Sequence, residues 1–287
     1  MNFRLPTLFL ACIFTLSLNA QKLQSPEDFM GYKRGEQFTP HNSLVDYFRH
    51  AAANSDLLVL KEYGKTNQNR PLLMAIISSK ENIKNLEQIR QNNLRRAGAL
   101  DGKVDNSNPV AVVWISMNVH GNEPASSETA PQLLYELINP TRADTKEWLK
   151  NTVVIIDPCV NPDGNSRYTS WNINASDKMP NVSADAREHR EPWPGGRVNH
   201  YLFDLNRDWA WATQVETQQR LPFYKEWMPH VHPDFHEMGY NSPYYFAPAA
   251  QPFHRLITPF QRDFQVEIGK NHEIGRASCR ERVLNLV

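Results

Sequence analysis

Val110-Ala111-Val112-Val113-Trp114-Ile115-Ser116-Met117 is a nearly continuous apolar run that passes straight into Asn118-Val119-His120-Gly121-Asn122-Glu123. A run without alternation of apolar and polar residues fits a strand covered on both faces, the kind found inside an α/β sheet. In such sheets ligand sites lie beyond the carboxyl ends of the strands, which is where His120 and Glu123 fall.

Working outward, Val153 to Ile156 is a second buried strand that Pro158 to Gly164 carries into a turn, and Val231 to Phe235 leads as a short strand into His236. Leu57 to Tyr63 and Leu72 to Ile77 flank Gly64-Lys65-Thr66-Asn67-Gln68-Asn69, a turn-rich link typical of a hairpin. Apolar residues at helical spacing mark Ser43 to Ala53, Glu81 to Arg96 and Thr213 to Trp227. A further helix reaches Leu137, with Pro131 delaying or kinking its start. Strands alternating with helices predict one α/β domain. Gln21 to Pro40 reads as irregular; Asn165 to Tyr201, polar and longer than ordinary connections, reads as the wall of a site or an excursion.

Composition narrows the function classes. Lys plus Arg and Asp plus Glu number 31 each, so the zero net charge gives no electrostatic case for nucleic acid or an anionic membrane. Met1 to Ala20 has one basic residue, Arg4, an apolar run from Leu8 to Leu18 and a small residue at Ala20, the layout of a secretory signal. The run is too short to span a bilayer, so the expectation is a secreted or periplasmic protein with no stable membrane span after signal removal. Of three cysteines only Cys159 lies in the expected mature natural part, which leaves no disulfide framework. Ile274-Gly275-Arg276-Ala277-Ser278-Cys279-Arg280-Glu281-Arg282-Val283 reads like a translated sequencing adapter. Residues 274–287 are therefore expected to be a non-native tail, with the natural chain continuing past Glu273.

The chemistry concentrates in four stretches. His120 and Glu123 sit three apart across a Gly-Asn turn, and His236 offers a second imidazole, with His230 and His232 as rivals on the same face by strand alternation. Two imidazoles and one carboxylate are the ligand set of a catalytic zinc site with one position left for water. Asp234 is placed to orient a ligand from behind. Asn161-Pro162-Asp163-Gly164 is a turn by composition, and Asp204-Leu205-Asn206-Arg207 sets a bidentate donor beside an amide, suited to gripping a carboxylate.

These four stretches occur in the order seen in zinc carboxypeptidases, and from about Ser43 to Gln265 the chain resembles the carboxypeptidase A-like metallopeptidase family. The resemblance implies a mixed central β-sheet flanked by helices on both faces, incomplete at the C-terminus, in a catalytic domain over residues 21–273. It implies Zn2+ held by His120, Glu123 and His236 with water as fourth ligand, and a peptide or protein substrate whose C-terminal carboxylate is gripped by Asn206 and Arg207. Relatives carry an oxyanion-stabilising arginine between the second and third motifs; Arg167 is the candidate, with Arg187 and Arg190 competing. Their general-base glutamate follows the third ligand by several tens of residues, and here the adapter-like tail comes first. Glu237 faces away from His236 by strand alternation, and Glu267 and Glu273 come too early, so little or no peptidase activity is expected of this chain. Two other readings are a zinc N-acyl amino acid deacylase, similar to the aspartoacylase and succinylglutamate desuccinylase group, and a non-catalytic peptide-binding protein. Tyr244, Tyr245 and Phe246 are candidates for lining the cleft.

Overall fold

The computed structural model describes residues 22–139, 143–177, 179, 181–239 and 247–284, with side chains as far as His272. The expected export signal over residues 1–20 and the Tyr244-Tyr245-Phe246 run lie outside the described residues. The chain divides into two compact units, Met1–His236 and Glu237–Val287.

The first unit is built on strands β1 (Leu58–Lys65), β2 (Pro71–Ile77), β3 (Ala111–Ser116) and β4 (Thr152–Asp157), in the order β1-β2-β4-β3. β2 pairs antiparallel with both β1 and β4, while β3 and β4 run parallel, so the sheet is mixed. Its helices are α1 (Pro26–Met30), α2 (His41–Ala53), α3 (Lys80–Lys84), α4 (Leu86–Arg96), α5 (Ala125–Ile138), α6 (Ala143–Lys150), α7 (Pro162–Ala175) and α8 (Val215–Trp227). Parallel neighbours need a crossover, and α5 and α6 supply it between β3 and β4.

Both faces of the sheet are covered, which is why its strands read as apolar runs. On one face Leu73, Ala75 and Ile77 pack with Leu44, Tyr47 and Phe48 of α2 and Ala130 and Leu134 of α5. On the other, Leu72, Met74 and Ile76 join Val112, Trp114, Val153 and Ile155 beneath Trp227 of α8, with Leu86 and Ile89 of α4 beside them. At roughly 1.5–3 kcal/mol for each fully buried large apolar side chain, this double-sided burial is the principal stabilising term of the unit.

Several expectations need correction. The helix expected over Glu81 to Arg96 is broken at Asn85 (φ −109°, ψ 16°), where α3 stops and α4 starts. Pro131 lies inside α5 rather than at its start, at the loss of one backbone hydrogen bond. The long polar stretch after Gly164, read as a wall of the site or an excursion, begins as a helix. Pro162 occupies the first turn of α7 and the Asn161 Oδ1 caps it, accepting from the Gly164 amide at 3.0 Å. Likewise α1, capped by Ser25, lies within Gln21 to Pro40. The strand expected over Val231 to Phe235 forms only two isolated parallel bridges to β3, Val113 to Val231 and Ser116 to Asp234. Pro233 between them has no amide proton to donate, which limits a longer ladder.

The second unit contains a helix, α9 (Pro259–Leu284), part of which overlies the stretch expected to be non-native. No helix among the described residues is long and apolar enough to cross a membrane.

Candidate metal centre

The site begins where β3 ends. Met117 donates to the Asp157 carbonyl at 3.0 Å, Val160 to Met117 at 2.9 Å and Asn161 to Asn118 at 3.2 Å, so the loops after β3 and β4 are zipped together. Asn118 is fully buried at φ 58°, a left-handed conformation that asparagine tolerates. Its Nδ2 donates to the carbonyls of His120 (3.1 Å) and Glu123 (3.0 Å), which closes the turn between the two side chains. A Cβ on Gly121 would lie 2.2 Å from backbone atoms of Gly164 and Asn165, and one on Gly164 would lie 2.3 Å from the Gly196 carbonyl. The Asn-Pro-Asp-Gly stretch is therefore the floor beneath His120. Asp163, wholly buried, ties that floor to the β1–β2 hairpin by accepting from Thr66 Oγ1 at 2.7 Å and Arg70 Nη1 at 2.8 Å.

On this floor three side chains meet. Glu123 reaches His120 Nδ1 with Oε1 at 2.9 Å and His236 Nδ1 with Oε2 at 3.0 Å, and the two ring centroids are 4.9 Å apart. One ligand atom from each of His120, Glu123 and His236 lies within 4.8 Å of the others. The rival imidazoles are used elsewhere: His230 Nδ1 accepts from the Val112 amide at 3.0 Å, and His232 Nε2 pairs with Ser116 Oγ at 2.9 Å.

Carboxylates stand behind both rings. Asp204 Oδ1 lies 3.1 Å from His120 Nε2, and Asp234 Oδ2 lies 3.3 Å from His236 Nε2. Hydrogen bonds to Asp234 and Glu123, against the cost of burial, push His236 up to about 9. Burial works to raise Asp204, but the Asn206 amide, His120 and Arg197 outweigh it and hold its carboxyl below the ordinary value. Two imidazole nitrogens, a shared carboxylate and a carboxylate oriented on each far nitrogen fit a borderline-soft divalent ion such as zinc.

Around the cluster, Leu205 is buried with Val119 and Val160, which fixes the turn Leu205–Arg207 beneath the His120 loop. Asn206 Nδ2 then lies 3.3 Å from His236 Nε2, and Arg207 is exposed. Arg167 is directed elsewhere: its guanidinium donates to the carbonyls of Gly195 (2.8 Å) and Asn199 (3.1 Å) and buttresses that loop. The arginine at the cluster is Arg197, which the sequence reading passed over. Its Nη2 donates to Asp204 Oδ2 at 3.0 Å, and its Nη1 lies 3.7 Å from Glu123 Oε1. Asn161 Nδ2 holds the Arg197 carbonyl at 3.2 Å. The pair Gly195-Gly196 just before Arg197, which lets this loop approach Gly164, was the available signal. The polar excursion is thus a wall of the site, tied to it also through Asn122 Nδ2 and Glu191 Oε2 at 2.8 Å.

Fold and site together define an α/β domain with a cluster that could hold a metal ion at the carboxyl ends of its strands. The zinc carboxypeptidase family profile matches residues 44–235, more than half of the chain, and the protein belongs to that family. Among solved structures it is similar to a protein assigned as a carboxypeptidase from Burkholderia mallei, with a TM-score of 0.51 and 16% identity over 77% of this chain and 45% of the other. A carboxypeptidase A from Helicoverpa armigera gives a TM-score of 0.44 and 14% identity over 75% of this chain and 52% of that one. This chain therefore spans about half the length of these proteins. A search of curated protein sequences finds no match.

Proposed function

We propose that the chain carries the metal- and substrate-binding core of a zinc carboxypeptidase acting at the C-termini of peptides or proteins. The observation that supports this most is the convergence of His120, Glu123 and His236 beside Asn206. Zinc held by those three ligands would polarise the scissile carbonyl and lower the pKa of a water towards ~7.

The protein's own groups have separate tasks. Asp204 and Asp234 engage the far nitrogens of the two rings and so leave each Nδ1 on the Glu123 side, where the three residues would hold the ion. Arg207, exposed and next in the chain to Asn206, pairs with the terminal carboxylate, and Asn206 donates its amide to the same group. Arg197 donates to the oxyanion that develops at the scissile carbonyl, the role first considered for Arg167. The carboxylates hydrogen-bonded within the cluster are Glu123, Asp204 and Asp234, and each is engaged with imidazole. None is placed to take a proton from water, a transfer that typically contributes ~10²- to 10⁴-fold, so turnover by this chain is low. Residues 21–273 belong to the catalytic domain, in a secreted or periplasmic protein.

Calorimetric titration of the zinc-loaded chain with a tripeptide, in free-acid and C-terminally amidated forms, tests this reading. A charged hydrogen bond contributes roughly 1.5–3 kcal/mol, so the free acid binds about 10- to 100-fold more tightly and Arg207→Ala erases the difference. Equal affinity for both forms in the unaltered chain sinks the assignment.

A further inference from the structure

A cavity of about 400 Å³ opens between the first turn of α2, the turn of the β1–β2 hairpin and the first half of α7. Its size is that of a small-ligand pocket, and none of its lining residues belongs to the His120, Glu123 and His236 cluster.

Two of the side chains lining it are buried without partners. His41, on α2, is 5% exposed and Thr169, on α7, is 2% exposed, and among the described residues neither side chain makes a hydrogen bond. Buried polar groups are paired as a rule, so two such groups on the wall of one open cavity mark a place where a ligand supplies the missing partners. Ser166 and Ser170 line the cavity with Thr169, and their spacing puts the three hydroxyls on one face of α7.

The charges and dipoles at the cavity favour an anion. Pro40 at the N-cap of α2 offers no side chain to the first turn. The Ser43 and Leu44 amides bond back to the Pro40 carbonyl, which leaves those of His41 and Asn42 without an acceptor among the described residues. The first turn of a 13-residue helix therefore presents free amides and the positive end of its dipole. Arg70 lines the cavity and spends Nη1 on Asp163 at 2.8 Å and on Gln68, with Nε and Nη2 unengaged among the described residues. Arg49, also lining, is held only loosely, at 3.8 Å from Asp46 and 3.5 Å from Glu62. Of the nearby acids, Asp163 is occupied by Arg70 and Thr66, and Asp46 is largely exposed.

We propose that this cavity binds a small phosphate ester, its phosphoryl oxygens taken by Arg49, Arg70, His41 and the α7 hydroxyls. Two guanidinium forks, an imidazole and three hydroxyls outnumber the two oxygens of a carboxylate and suit the three of a phosphoryl group. The cavity leaves room beside that group for an organic body. The site shares no residue with the zinc reading and stands or falls apart from it.

The test is calorimetric titration of the zinc-loaded full chain with glycerol phosphate and with inorganic phosphate, repeated on Arg49→Gln, Ser170→Asp and His236→Ala. Arg49 and Ser170 are exposed, so both substitutions leave the melting temperature near that of the unaltered chain. The ester binds saturably and more tightly than inorganic phosphate. Arg49→Gln weakens it at least ~10-fold, the effect of losing one charged hydrogen bond. Ser170→Asp, which sets a carboxylate in the cavity, abolishes binding, and His236→Ala leaves it unchanged. In the unaltered chain the His41 ring signals, assigned by their loss in His41→Gln, shift in proportion to occupancy. No saturable binding of the ester, binding indifferent to both Arg49→Gln and Ser170→Asp, or an unmoved His41 ring overturns the proposal. Loss of binding in His236→Ala also overturns it, by placing the phosphate on the zinc ion.

Discussion

The two sides of the His120, Glu123 and His236 cluster are held by different means. His120 is 3% exposed, and its loop is clamped by the Asn118 amide, pressed against Gly164 and continued from a full parallel ladder between β3 and β4. The His236 side chain is 30% exposed and touches Glu123, Asp234 and Asn206, on a segment whose backbone bonds to β3 are interrupted at Pro233 and end with the Phe235 amide on the Ser116 carbonyl at 3.0 Å. Backbone geometry thus preorganises His120 and Glu123, and side-chain contacts orient His236 beyond the last backbone bond at Phe235. Damage on the His120 side should appear mainly as lost stability, and damage on the His236 side mainly as lost metal affinity.

The largest expected effect is Gly121→Ala. Its Cβ meets backbone atoms at 2.2 Å, which cannot yield without moving the Gly164 floor, so the loss is about 4 kcal/mol or more by urea denaturation, in the range of severe steric lesions. Asn118→Ala follows, at roughly 2–3 kcal/mol, because it leaves buried carbonyls of His120 and Glu123 without their donor. A wild-type urea midpoint for either variant breaks the contrast. On the other side, Asp234→Asn lowers zinc affinity about 10- to 100-fold with stability changed by less than about 1 kcal/mol, as chelator competition and thermal melting would report. A large loss of stability there would show that the His236 segment is as much a part of the scaffold as the His120 loop.

Acidity gives a smaller, graded effect. Burial, partly opposed by Arg220, raises the Asp157 carboxyl from its ordinary 3.8 to about 7. A group whose folded pKa is raised contributes stability that is complete below its unfolded pKa and is lost as pH climbs to the folded one. The melting temperature should therefore decline from about pH 4 to pH 7, and Asp157→Asn should flatten that part of the profile. His41 acts in the opposite sense: burial first, then the charge of Arg70, lowers it to about 4 from 6.5, so its contribution is present above pH 6.5 and lost as pH falls towards 4. Smallest of all, breaking the exposed Arg49–Glu62 pair, 3.5 Å apart, should change stability by less than about 0.5 kcal/mol.

The α/β class was legible because β2 and β3 are covered on both faces and so read as apolar runs. What escaped has a physical reason in each case. Asn161-Pro162-Asp163-Gly164 serves equally as a turn and as a helix start, since a capping side chain and a proline in the first turn suit both, and α7 was hidden behind that ambiguity. Asn85 interrupts an apolar pattern that carries on from α3 into α4. At the cluster, short-range spacing revealed His120 and Glu123, and strand alternation left His230, His232 and His236 equivalent. Only the bonds of the first two to Val112 and Ser116 separate them. Arg197 depends on a loop path that local sequence does not encode, and Arg220, within Gln218-Gln219-Arg220, looks like a solvent-facing helical position although it is fully buried.

X-ray absorption at the zinc edge, on the purified chain loaded with one equivalent of zinc, addresses the central claim most directly. The account predicts two imidazole nitrogens at about 2.0–2.1 Å together with carboxylate oxygen, and the loss of one imidazole in His236→Ala. Sulfur scattering at about 2.3 Å, or an oxygen-only shell unaffected by that substitution, would contradict it.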